Sequence, residues 1–306
     1  MKNALLILMV LFLSGACREK AENTQTPSEL QEARKPVVYT SNYPLYYFTG
    51  RVAGSLVDIE FPAMASDSPA QWTPTAEVIT AMQSADLVFL NGATYETWLM
   101  NVSLPDSILV DTSLGFATRL LPSGQTFTHS HGEEGAHSHE GVATHTWMDL
   151  SMAMAQAGVI KQALSEKLPG HREQLESNYR ELMADLGDLD KRFKEFQGRD
   201  FPDVLYTQPI YPYFQKAYGL SGSVVLLKPD EALTPKALHD IKHLKADKGI
   251  AYALWPQAPS KETEGALEAL GLTSLLLNPA EATPGEGDFL TIWERNFAVL
   301  STISGE

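Results

Sequence analysis

Leu175, Tyr179, Leu182, Leu186, Leu189, Phe193 and Phe196 recur at spacings of 4, 3, 4, 3, 4 and 3. That rhythm sets all seven on one side of a long α-helix. Pro169 and Gly170 divide it from an earlier helical pattern carrying Met152, Ala155, Val159, Ile160, Ala163 and Leu164, because proline lacks the amide hydrogen that a helix interior requires. The repeat covers too few heptads for a free-standing coiled coil. The stripe therefore has to be buried against the rest of the chain, and a continuous helix of that length can bridge two lobes and hold them at a fixed angle.

Short apolar runs lie on both sides of it: Val37 to Thr40, Leu87 to Leu90 and Ile108 to Val110, then Val204 to Tyr206, Val224 to Leu227, Ile250 to Leu254 and Leu275 to Leu277. They alternate with helical patterns, and strands separated by helices form parallel sheets covered on both faces. The expected fold class is α/β, two lobes each with a mostly parallel sheet flanked by helices, joined by one long backbone helix. The expected division is an N-terminal lobe over 36–148, linking helices over 149–199 and a C-terminal lobe over 200–306.

The N-terminus, MKNALLILMVLFLSGAC, has one positive residue, Lys2, an apolar run from Ala4 to Leu13, and small residues before Cys17. Residues 1–16 read as a secretory signal peptide, too short to span a bilayer as a stable helix. Cys17 is the only cysteine, so no disulfide staples the chain. A lone thiol at the end of such a signal is expected to carry lipid, with an ordinary signal peptide as the alternative. Acyl chains there tether a protein to a membrane surface. Residues 17–35 are charged and nearly free of large apolar side chains, a lipid-anchored polar linker that cannot bury a core. The expected location is extracytoplasmic. The net charge of −15 repels phosphate backbones, so nucleic acid is excluded as a partner.

Five of the eight histidines, His129, His131, His137, His139 and His145, fall between Thr128 and Asp149. Neutral imidazole is the commonest protein ligand for borderline transition metals, and this density points to Zn²⁺, with Mn²⁺ or another divalent transition metal as alternatives. His129-Ser130-His131 and His137-Ser138-His139 are paired around GEEGA, with glycines on both sides and no apolar period. Residues 125–142 are expected to form a mobile His-rich loop. A competing reading makes these histidines no more than titrating groups on a solvated insertion. His145 opens the run THTWMDL, where Trp147 and Asp149 can fix its ring, so it is expected to be an ordered ligand; a hydrogen-bonded structural histidine is the plainer alternative. The chain contains no phosphate-binding glycine loop, Cys-x-x-Cys, His-Glu-x-x-His or Gly-x-Ser-x-Gly. A hydrolase built on His145, Asp149 and Glu140 lacks any familiar ligand spacing, and no enzyme activity is expected.

Several segments together resemble the solute-binding proteins of zinc- and manganese-type ABC transporters. They are SNYPLYYFTGRVAG (41–54), SPAQWTPTAEVITAMQSADLVFLNGATYETWL (68–99), THTWMDL (144–150), SNYRELMADLGDLD (177–190), QPIYPYFQKAYGL (208–220), and LLLNP followed by GDFLTIWERNFAVL (275–300). They occur in the family's order and cover nearly all of the chain after residue 35. The resemblance implies two α/β lobes around one backbone helix, a divalent metal in the cleft between them, and an ABC permease as partner of a monomeric receptor. It also implies one ligand from each of four segments. His145 matches the second; Ala70 stands at the first, Gln208 at the third and Asn278 at the fourth. Alanine offers no side-chain donor, and amide oxygens are poor Zn²⁺ ligands.

Three readings follow. A histidine of the loop, His137 or His139, completes the cleft. Alternatively the cleft holds a non-metal ligand walled by Trp72, Tyr206, Tyr211, Trp255 and the Gln208 and Asn278 amides. In the third, the loop only buffers metal and the scaffold binds a partner protein. The leading expectation is an extracytoplasmic, lipid-anchored receptor that captures Zn²⁺ through His145 with help from His129, His131, His137, His139, Gln208 and Asn278, and gives it to an ABC permease.

Overall fold

A computed structural model of the chain describes residues 34–66, 68–130 and 136–304, with 124–130 and 136–140 described by their backbone. The chain divides into two compact units, Met1–Lys35 and Pro36–Glu306, and all the regular elements below lie in the second. Cys17 and the signal segment fall outside the described residues. Among the described residues, no helix is long and apolar enough to cross a membrane.

In the first lobe, β1 (Val37–Thr40), α1 (Tyr43–Ala53), β2 (Asp58–Glu60), α2 (Ala76–Gln83), β3 (Leu87–Leu90) and β4 (Leu109–Asp111) follow in order, and the strands assemble as β2-β1-β3-β4. All three pairings are parallel. The helices begin where side chains satisfy their free amides. Asn42 accepts from Leu45 N–H with Pro44 in the first turn of α1, and Thr75 accepts from Val78 N–H at the start of α2.

Next come β5 (Pro122–Ser130), β6 (Ala136–Val142), α3 (Leu150–Lys167) and α4 (Arg172–Lys194). The second lobe contains β7 (Val204–Tyr206), α5 (Pro212–Tyr218), β8 (Gly222–Val224), α6 (Pro235–Lys248), β9 (Tyr252–Trp255), α7 (Lys261–Ala269), β10 (Thr273–Leu276) and α8 (Phe289–Ser304). Its sheet runs β10-β9-β7-β8, again wholly parallel.

The near-continuous apolar strands have a simple origin: both faces are covered. Val38 and Phe89 of the first sheet face the central core, whereas Tyr39, Val88 and Leu90 face an outer cluster with Met82 and Trp98. Val204, Tyr206 and Leu254 of the second sheet face the same central core; Leu205, Ala253 and Trp255 face a second outer cluster with Ile241 and Leu267. Alternate side chains point to opposite faces, so these central strands are buried on both.

The stripe from Leu175 to Phe196 lies on α4 and the turn that ends it, and its members are buried except for the half-buried Tyr179. Toward its start, Asn178 donates to Val52 O at 3.0 Å and Asp185 pairs with Arg51 at 2.6 Å, tying α4 to α1. Toward its end, Phe193 meets Phe214, Trp293 and Phe297 with ring centroids 5.1–6.0 Å apart. The helix thus spans a core shared by both lobes.

Three elements depart from expectation. Residues 122–130 and 136–142 are not an unpaired loop but an antiparallel hairpin, in which His129 stands opposite His137. Thr126, Phe127 and Thr128 are strong strand formers, and period-two pairing needs no apolar core. The hairpin is closed at its base by Ala143 N–H on Leu121 O, and Tyr213 takes both edges: its hydroxyl accepts from Leu121 N–H and donates to Ala143 O. Strand β8 ends at Val224, where the expected run began, because the apolar residues after it leave the sheet; the short edge strand β2 carries a single apolar residue, Ile59, too little pattern to announce it.

Candidate metal centre

Parallel sheets send all their strands out at one edge, and ligand sites in such folds lie beyond those carboxyl ends. In the first lobe the exits carry Ser41 and Asn42 after β1, Asn91 and Gly92 after β3, and Thr112 and Ser113 after β4. In the second they carry Thr207 and Gln208 after β7, Pro256 and Gln257 after β9, and Leu277 to Glu281 after β10. The second-lobe exits, with Ala70 and His145 from the first part of the chain, enclose a cavity of about 650 Å³ lined also by Trp255, Asn278 and Glu281.

His145 is buried, with its ring 4.9 Å from Trp147 and 6.0 Å from Tyr95 by centroids. Thr144 Oγ1 lies 3.0 Å from its Nδ1. That hydroxyl suits either tautomer: it donates when Nε2 carries the proton, and accepts when the Nε2 lone pair turns to a metal. Nε2 itself stands 3.4 Å from Glu281 Oε2. Asp149 is not part of this arrangement. It caps α3 by accepting from Ser151 N–H and pairs with Arg119.

Glu281, which the sequence reading passed over, is the carboxylate of the cleft. Its Oε1 accepts from Tyr95 O–H at 2.8 Å and from Ala70 N–H at 3.1 Å. Burial pushes this carboxyl up, but His145, the Tyr95 hydroxyl and the Ala70 amide outweigh that and hold it below the usual carboxylate range. The turn before it is fastened to the first lobe: Trp147 Nε1 donates to Pro279 O at 2.6 Å, and Tyr43 N–H to Glu281 O at 3.1 Å. Ala280 sits at φ 56°, a left-handed conformation that costs about 1 kcal/mol for a non-glycine residue.

Asn278 makes that turn instead of facing a metal as a free ligand. Its side-chain oxygen accepts from Ala280 N–H at 2.7 Å, while Asn296 accepts from its amide and donates to its carbonyl. The acid expected at 278 stands three residues later. The only acid to follow LLLNP closely is Glu281, and that was the available signal. Gln208 lines the cavity with its Nε2 donating to Leu227 O at 2.8 Å, which leaves Oε1 as the end open to a ligand. Ala70 contributes its backbone amide. Of the four aromatics expected as walls, only Trp255 lines the cavity; Tyr206 and Tyr211 are core, and Trp72 packs on Trp98 at 6.0 Å. His129, His137 and His139 lie on the hairpin backbone, and His131 falls outside the described residues.

Behind His145 is a buried polar network. Asn91 Nδ2 donates to Thr144 O at 2.9 Å, and Asn91 Oδ1 accepts from Thr146 Oγ1 and Gln156 Nε2. The Asn91 amide donates to Glu96 Oε1 at 2.6 Å, as does Ser41 Oγ at 2.5 Å. Burial lifts the Glu96 carboxyl to about 7 against the opposing pull of Ser41 and the Asn91 and Gly92 amides.

A tetrahedral Zn²⁺ site with arms of about 2.1 Å has donors about 3.4 Å apart. The separation of His145 Nε2 and Glu281 Oε2 equals that edge. The separation of the pair therefore matches that of two donors sharing one ion. Among the described residues, no third histidine, cysteine, aspartate or glutamate joins them.

Two parallel-sheet lobes closed over a buried imidazole and carboxylate define a two-lobed α/β binding receptor. The chain belongs to the family of zinc-uptake complex component A, periplasmic (ZnuA), whose model matches residues 38–303; it is a family of solute-binding receptors, not of enzymes. The chain is 27% identical over 275 residues to the zinc-binding lipoprotein AdcA of Streptococcus pneumoniae (strain ATCC BAA-255 / R6), covering 86% of this chain and 54% of that protein. It thus spans about half the length of that relative. It is 26% identical over 256 residues to the high-affinity zinc uptake system protein ZnuA of Bacillus subtilis (strain 168), covering 81% and 80%. The Zn(II)-bound ZnuA-like domain of S. pneumoniae AdcA shares the fold, with a TM-score of 0.78 at 21% identity over 89% of this chain and 100% of that one.

Proposed function

We propose that this protein captures Zn²⁺ outside the cytoplasm and delivers it to an ABC permease, tethered through lipid on Cys17. The observation that carries the reading is the His145 Nε2 to Glu281 Oε2 separation of 3.4 Å, the length of a tetrahedral edge, on one wall of the cleft. Zinc binding by the named relatives supports the choice of metal. The His-rich segment 125–142, with His129, His131, His137 and His139, raises the local metal concentration, and Gln208 adds a weak oxygen donor. Asn278 shapes the turn that presents Glu281.

A rival reading has the cleft holding an organic ligand in place of metal; it draws on Ala70 and the amide-lined far wall. Calorimetric titration with Zn²⁺ separates them. His145→Ala or Glu281→Gln is expected to weaken the tightest site by on the order of 100-fold, whereas deletion of 125–142 removes only weaker sites. Unchanged affinity in both cleft variants would overturn the proposal.

A further inference from the structure

Zinc in such sites takes four donors. The cleft supplies two, His145 Nε2 and Glu281 Oε2; Asp230 also lines the cavity, but among the described residues no third acid, histidine or cysteine groups with the pair closely enough to share an ion. Charge is incomplete as well: Zn²⁺ beside one carboxylate and a neutral imidazole leaves a surplus positive charge in a largely buried place, which is unfavourable.

Space and wall chemistry point the same way. The cavity measures about 650 Å³. A water molecule takes up only about 30 Å³ of liquid, and pockets of roughly 300–1,000 Å³ are the usual size for small organic ligands. Its far wall is polar without being a metal site: Gln208 with Oε1 open, Gln257, and the opposite charges Lys228 and Asp230. Lys228 is held by Glu231 at 2.6 Å, yet an ammonium has three donors and can serve a second anion.

Resting on the proposed function, we infer that the cleft takes its metal as a chelate with one small amino-carboxylate, whose amine nitrogen and one carboxylate oxygen fill the two open coordination positions. The second carboxylate oxygen faces Lys228, and the remainder lies against Gln208 and Gln257. One such anion brings the metal, Glu281 and chelator to a net charge of zero. The coordination number closes at four without a histidine at position 70 or 208.

Native mass spectrometry and calorimetry on the full mature chain test this, with Zn²⁺ alone as one probe and Zn²⁺ with excess glycine or L-asparagine as the others. The expected complex carries one zinc and one amino acid. Apparent Zn²⁺ affinity rises about tenfold with the amino acid present, although in free solution the amino acid competes for zinc. Lys228→Ala diminishes that gain. A mass increment of zinc alone, with affinity falling as amino acid is added, overturns the inference and leaves zinc capture standing. So does loss of the tight Zn²⁺ site on deletion of 125–142, which assigns the missing donors to the hairpin. No zinc in any arm strikes the proposed function itself.

Discussion

The two walls of the cleft are built to different standards. The near wall, with His145 and Glu281, is packed and over-determined: the ring packs against both Tyr95 and Trp147, and the carboxylate is gripped by Tyr95 and Ala70. Two further bonds, from Trp147 and Tyr43, hold the Glu281 turn. The far wall consists of Gln208 with one bond, Lys228 on the rim and the exposed Gln257. Preorganised donors fix coordination geometry because their rotamers are already chosen; loosely held amides can adapt to what arrives. The contrast assigns geometry to one side and accommodation to the other.

The surest way to break that contrast is to disturb the packing behind the near wall. Gly92 sits at φ 73°, and a Cβ there would lie 1.9 Å from Asp111 Oδ1 and 2.3 Å from Ser113 Oγ. Asp111 Oδ1 already accepts from Ser113 N–H and O–H, so it cannot withdraw freely. Gly92→Ala is expected to destabilise the fold by about 4 kcal/mol in urea denaturation, combining left-handed strain with overpacking. A change below about 1 kcal/mol would show that the β3 exit is softer than its contacts imply.

Next in size is a pH effect from Glu96. Its carboxyl is pushed up to about 7 by burial, so the folded state holds its proton more tightly than the unfolded chain. Its contribution is fully present below the ordinary value of 4.5 and is lost as pH rises through about 7, about 3 kcal/mol in all. Melting curves between pH 5 and pH 8 should therefore fall less steeply for Glu96→Gln than for the unsubstituted chain. Parallel curves would place the ionised form in the network at all these pH values.

The smallest effect sharpens the contrast. Ala280→Gly relieves the strained φ of 56° and is expected to raise stability by about 0.5 kcal/mol. The freer turn should at the same time weaken Zn²⁺ binding by about threefold, since preorganisation of Glu281 is lost. Affinity that rises along with stability would mean the strain serves no ligand.

Much of the architecture was legible beforehand. The period of the α4 stripe is a local property, and so is the apolar run of each doubly covered strand, so Leu175 to Phe193 and Val204 to Tyr206 announce themselves. The hairpin was misread because its glycines suggested freedom, while its cross-strand pairing depends on a partner segment. At the site, His145 was singled out from its neighbours Trp147 and Asp149, of which only Trp147 packs on the ring. Glu281 was not: position in the chain pointed to Asn278, whereas the Asn278–Pro279–Ala280 turn carries the acid three residues onward.

By itself, then, the sequence determined the element types, the parallel sheets and the connecting helix, because hydrophobic period acts over a few residues. Only the tertiary structure decided that Glu281 meets His145, 136 positions earlier, and that Ala70 serves through its backbone. Such meetings depend on two sheets turning their carboxyl edges toward each other over one shared core, and no local pattern of residues encodes that closure.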